Sequence, residues 1–82
     1  MKLVVAIVQD KDAGPVVDAL VQHEYRSTRI NTQGGFLRRG NATLLIGVED
    51  EQADHVLALV RETTRGGGGT LFVLNVARFV RV

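Results

Sequence analysis

Apolar and polar positions change their spacing several times along the chain, and each change marks an element. Leu3-Val4-Val5-Ala6-Ile7-Val8 is an unbroken apolar run rich in β-branched side chains. It reads as a strand buried on both faces. Asp10 or Asp12 is placed to cap a following helix, with Pro15 in the first turn. Val16, Val17, Leu20 and Val21 then recur at helical spacing to about Glu24. Arg26 to Thr32 mixes β-formers with polar residues, the pattern of a strand with one solvated face. Gly34-Gly35 interrupts it, and a second strand runs from Phe36 to Val48, so the pair predicts a β-hairpin. Glu49-Asp50-Glu51 puts negative charge where a helix start favours it. Ala53, Val56, Leu57 and Val60 form the stripe of that helix, ending near Thr64. After the break at Gly66–Gly69, Thr70 to Val76 predicts a last strand, with a continuation through Phe79 towards Val82.

The order β-α-β-β-α-β is the ferredoxin-like arrangement: an α+β fold with two helices on one face of a four-stranded antiparallel sheet. One such domain accounts for all 82 residues, since a typical domain takes roughly 100–200. A core this small often needs a supplement. With no cysteine there are no disulfides or thiolate metal sites. Self-association remains, and it would also cover the second face of the sheet. The N-terminal apolar run is shorter than the roughly 7–15 residues of a signal-peptide core. No run approaches the roughly 18 residues that span a bilayer. The expected compartment is the cytoplasm.

The net charge of +1 excludes a global electrostatic argument for nucleic-acid or membrane binding. Its distribution is more informative. Between Tyr25 and Val48 there is no acidic residue, while Arg26, Arg29, Arg38 and Arg39 lie in that window. Catalysis finds little support. Ser27, the only serine, has no adjacent histidine. His23 and His55 lack metal-ligand spacing and read as helix histidines. The acids Glu49, Asp50, Glu51 and Asp54 show no calcium-loop spacing.

The hairpin is the better candidate for a site. Glycine N–H groups can form an anion-binding concavity, and guanidinium groups add charge-assisted hydrogen bonds to phosphate. Phe36 offers a stacking face, Thr28 a hydroxyl, and Asn41 an amide that both donates and accepts. These suit a small phosphorylated nucleotide. On spacing alone, the same residues also fit an ordinary hairpin turn, a core phenylalanine and a solvated strand face. A β-ribbon binding nucleic acid has too few aromatics to compete.

Three blocks carry a resemblance: Met1 to Asp10, Thr32-Gln33-Gly34-Gly35-Phe36-Leu37-Arg38-Arg39-Gly40-Asn41, and Ala42-Thr43-Leu44-Leu45-Ile46-Gly47-Val48-Glu49-Asp50-Glu51. Together they resemble the PII-like cyclic di-AMP receptor proteins of bacteria, over positions 1 to about 64 and again from Thr70 to Val73. The resemblance implies a ferredoxin-like homotrimer, non-enzymatic and without cofactor or metal, binding cyclic di-AMP in clefts between subunits. By position, Arg26 and Thr28 would lie beside phosphates and sugars. Gly35, Phe36 and Leu37 would line the cleft, and Asn41 would hydrogen-bond an adenine. Gly47 would admit the ligand close to the strand, and Phe72 would close the pocket from the adjacent subunit.

Two departures stand out. The family's long, ligand-responsive loop before the last strand is here only Arg65-Gly66-Gly67-Gly68-Gly69. That is either a short-loop relative or a core from which the loop was cut, and four consecutive glycines favour the latter. Arg81 stands where the family has an uncharged polar residue. The expectation is a signal-transduction receptor. The alternative is a loop-truncated or engineered trimer scaffold with weak or no nucleotide binding; a PII-type ATP sensor ranks below both.

Overall fold

The computed structural model describes residues 1–30 and 40–82. In these, β1 (Lys2–Gln9) leads to α1 (Asp10–Gln22), β2 (Thr28–Ile30) and β3 (Asn41–Val48). A 3-10 turn (Asp50–Gln52) opens into α2 (Ala53–Thr64), and β4 (Thr70–Asn75) closes the sheet. The strand order is β2-β3-β1-β4, with every neighbouring pair antiparallel. This is the ferredoxin-like α+β fold expected from the element order. The predicted Gly34-Gly35 turn lies outside the described residues. So does the stretch from Phe36 to Arg39, with which the second hairpin strand was expected to begin. Gly40, at a φ of +88°, immediately precedes β3.

Alternation along the central strands decides which side holds the core. Val4, Ala6 and Val8 of β1 and Ala42, Leu44, Ile46 and Val48 of β3 are buried against the helices. The helices contribute Ala13, Val16 and Leu20 from α1, and Ala53, Val56, Leu59 and Val60 from α2. Each fully buried Leu or Ile among these stabilises the fold by about 1.5–3 kcal/mol through water removal alone. The other face of β1, made by Leu3, Val5 and Ile7, is only half-buried within the single chain. The helices cover one side of the strand expected to be buried on both; among the described residues no layer of this chain lies over the other.

Helix boundaries follow local chemistry that differs in places from the sequence reading. At the start of α1, Gln9 occupies the cap position without a side-chain bond, and Asp10 and Asp12 sit inside the first turn. There they complement the helix dipole instead of capping. The Asp10 amide donates to the Gly40 carbonyl at 2.7 Å. Pro15 is the sixth helical residue and not part of the first turn. Expected to reach about Glu24, α1 stops at Gln22 because Glu24 turns left-handed at a φ of 65°. The Tyr25 amide then donates to Leu20 O at 2.8 Å and the Glu24 amide to Val21 O at 3.0 Å, which is a Schellman motif. α2 ends the same way on Arg65, φ 53°, with Gly66 N donating to Arg61 O at 3.0 Å. The 3-10 turn that leads into it carries a capping box, the Glu49 amide donating to Gln52 Oε1 at 3.0 Å.

β4 ends at Asn75 and does not run on towards Val82. Its partner β1 starts at Lys2, so the ladder finishes with Val76 N donating to Met1 O at 3.1 Å. Beyond it Phe79, Val80 and Val82 are exposed. The Met1 ammonium lies 2.8 Å from Asp50 Oδ1 and holds that exposed carboxyl below its ordinary range. With the folded value depressed, this contribution is present above the unfolded carboxylate range and is lost as pH falls through the folded one.

The left-handed Glu24 gives a test of these boundaries. Glycine adopts that conformation without the Cβ clash, so Glu24→Gly raises stability by about 0.5–1 kcal/mol in urea denaturation. A loss of stability would refute the Schellman assignment.

Candidate functional site

Of the residues to which the sequence pointed, the open face of the sheet carries Thr28, Asn41, Gly47 and Phe72. Strand register aligns Thr28 of β2, Leu45 of β3, Val5 of β1 and Phe72 of β4 in one row across all four strands. The next row toward β3's beginning is Ile30, Thr43, Ile7 and Thr70. On the other side, Gly47, Leu3 and Leu74 align. Because side chains alternate, all of these lie opposite the helices. Phe72 and Leu74 are each 49% exposed. The result is an apolar surface with hydroxyls at intervals, Thr43 being buried among its neighbours.

The sequence-predicted residues fall at three places on this face. Thr28 lies diagonally across from Gly47 on the paired strands β2 and β3, and diagonal neighbours stand about 7–8 Å apart. Arg26, exposed, precedes Thr28 by two residues. Asn41, half-buried, pairs with Gln9 at the far end of β3. Six residues separate it from Gly47, about 20 Å of strand. Phe72 belongs to the opposite edge, three strand spacings from Thr28, or about 14 Å. Gly35, Phe36 and Leu37 lie outside the described residues.

Two details alter the chemistry read from sequence. Arg29, counted among the arginines of the acid-free window, has its Nη2 3.4 Å from Asp10 Oδ1. Its strand position is opposite Leu44, which faces the helices, so it is turned from the open face. Gly47 has ordinary strand geometry, and a Cβ built there would meet only Met1 Cε, at 3.9 Å. Among the described residues nothing requires glycine at that position. A strand glycine of this kind marks a place where a ligand or another backbone comes close.

Sequence reasoning missed two features. A cleft of about 340 Å³ opens among Val8, Val60, Arg61, Thr64, Gly66, Gly69 and Leu71. Among the described residues, none of those predicted lines it, and Arg61 is its one charged group. The second is the approach of His23, Tyr25 and His55 on the helical side. Two helices on one face of a sheet bring the end of one beside the start of the other, so the helix limits and topology together held that signal. Among the described residues no group of three or more His, Asp or Glu gathers as a metal site. No helix among them is long and apolar enough to cross a membrane.

Among the described residues, the ferredoxin-like sheet leaves one apolar face open, with Thr28 and Asn41 towards its rim and Gly47 on β3. The chain belongs to the cyclic-di-AMP receptor family, whose model matches residues 1–66. The resemblance drawn from the sequence blocks is thereby borne out. A functionally unknown protein from Pediococcus pentosaceus is similar in structure, at 39% identity and a TM-score of 0.83. That match covers 99% of this chain and 96% of the other.

The space beside Gly47 makes a stability prediction. Gly47→Ala changes the unfolding free energy by no more than about 0.5 kcal/mol, measured by urea denaturation of purified protein. A large loss would mean that the sheet itself needs the glycine.

Proposed function

We propose that the chain is a non-enzymatic signal-transduction receptor of the cytoplasm, binding cyclic di-AMP in clefts between the subunits of a homotrimer. The observation that carries this reading is the separation of the site residues across one open face. Surfaces that both touch a stacked base stand about 7–8 Å apart. Thr28 and Phe72 of one chain, about 14 Å apart, cannot be the two walls of such a pocket. Joining the β2 edge of one subunit to the β4 edge of the next brings these residue types together. The same association covers apolar surface of a kind that rarely stays open.

Each residue then has a chemical role. Arg26 gives charge-assisted hydrogen bonds to phosphate, and the Thr28 hydroxyl bonds to sugar or phosphate oxygen. Asn41 pairs with an adenine edge through its donor and acceptor. Phe72 supplies a stacking surface, and Gly47 leaves room for it. Gly35, Phe36 and Leu37 complete the lining in this proposal. The bare connection from Arg65 to Gly69 favours one second reading, a trimer scaffold with weak or no nucleotide binding.

Calorimetric titration with cyclic di-AMP, ATP and cyclic di-GMP separates the readings. Receptor function gives saturable binding of one cyclic di-AMP per subunit and a trimeric mass in solution. Absence of heat and of thermal shift with all three nucleotides assigns the scaffold. Where cyclic di-AMP binds, Asn41→Ala weakens it by about 1–3 kcal/mol, because a buried adenine edge loses its partner. Gly47→Ala weakens it about tenfold, or 1.4 kcal/mol, while keeping the fold. Unchanged affinity in either variant removes that residue from the site.

A further inference from the structure

On the helical side, well away from the open sheet face, three side chains meet at the junction of α1 and α2. The Schellman turn that ends α1 exposes His23 and directs Tyr25 back to the first turn of α2. There Tyr25 Oη is 2.7 Å from Nδ1 of His55. The His23 and His55 rings stand with centroids 5.0 Å apart and planes at 89°. Nothing in the nucleotide reading uses this cluster.

We propose that His23 and His55 form a two-imidazole site for a divalent transition-metal ion, with Tyr25 positioning His55. The spacing carries the argument. Two imidazoles on one tetrahedral ion, each nitrogen about 2.1 Å from the metal, place their ring centroids roughly 5 Å apart. The rings hold that separation without the ion, and both histidines are exposed. With His55 held by Tyr25, it is the exposed His23 ring that turns out of the edge-to-face contact to share the ion. The Tyr25 contact has the form of an outer-shell bond: a metal-ligating histidine ties its second ring nitrogen to an oxygen. With Nδ1 donating to Tyr25 Oη, the Nε2 lone pair is left for the ion. Glu24 and Asp54, each next in sequence to one of the histidines, add negative charge around a cation.

Imidazole ligands favour Cu2+, Ni2+ and Zn2+ over Mg2+ or Ca2+. With two protein ligands, the remaining positions belong to water, so the ion exchanges with solvent. When bound, it ties the end of α1 to the beginning of α2.

The test titrates ZnCl2 and NiCl2 into EDTA-treated protein free of any histidine tag, followed by calorimetry and thermal melting. One ion binds per chain and raises the melting temperature. His23→Ala and His55→Ala each weaken binding at least about tenfold, and Tyr25→Phe, which keeps the ring, weakens it by about 10–100-fold. MgCl2 gives no shift. Wild-type affinity in both histidine variants, or no heat with either ion, overturns the proposal. Should an alanine variant lose its circular-dichroism spectrum, His23→Gln and His55→Gln replace it. Cyclic di-AMP binding is measured on the same samples and is independent of the outcome.

Discussion

Eight consecutive residues of β1 pair with eight of β3, from Lys2 opposite Val48 to Gln9 opposite Asn41, and every other placement in the molecule is measured from that pairing. Side chains alternate with a period of two, so the register puts Val4, Ala6, Val8, Leu44 and Ile46 against the helices and sends Leu3, Val5, Leu45 and Gly47 to the opposite face. A slip of one residue would reverse both sets. It would bury the glycine and Asn41 under the helices and turn Leu44 and Ile46 outward. The outer strands inherit this setting. β2 reads its register from β3 and β4 from β1, which is how Thr28 and Phe72 come to lie in one row.

The helices add precision at their ends. Both finish in left-handed residues that carry charged side chains, Glu24 and Arg65, in place of the usual glycine. The first of these turns redirects the chain so that Tyr25 packs against the core and reaches His55. The capping box at Glu49 and Gln52 fixes where α2 begins. The histidines therefore meet through two backbone motifs, and not through any attraction strong enough to bring distant segments together.

Much of this architecture was legible before the structure was seen. The element order and helix stripes gave the fold class, because apolar periodicity is a direct image of which side faces the core. The blocks around Gly34 and Gly47 gave the family. Three kinds of information were missing. Strand limits depend on partners, so the reach of β4 was invisible until β1 was known to begin at Lys2. The Asp10 partner of Arg29 comes from across the fold, and no local pattern announces it. Pro15 and Glu24 occupy positions that propensity alone disfavours, and the surrounding packing overrides it. The grouping of the candidate residues was not legible, since Asn41 and Gly47 look close in sequence and are separated by most of a strand's length.

The short connection between α2 and β4 has an evolutionary consequence. Gly66 and Gly68 are left-handed, and the run from Gly66 to Gly69 is exposed. A Cβ at Gly69 would fall 3.3 Å from the Ile7 carbonyl oxygen of β1, so the end of the turn next to β4 lies close against the sheet. At the Gly66 end a Cβ would meet nothing within 4 Å. Lengthening a flexible loop is thermodynamically gentle, at about 0.6 kcal/mol for each doubling. Sequence inserted at Gly66 can thus grow, shrink or be exchanged between lineages while the sheet and its register stay put. That makes this connection an interchangeable part on a fixed chassis.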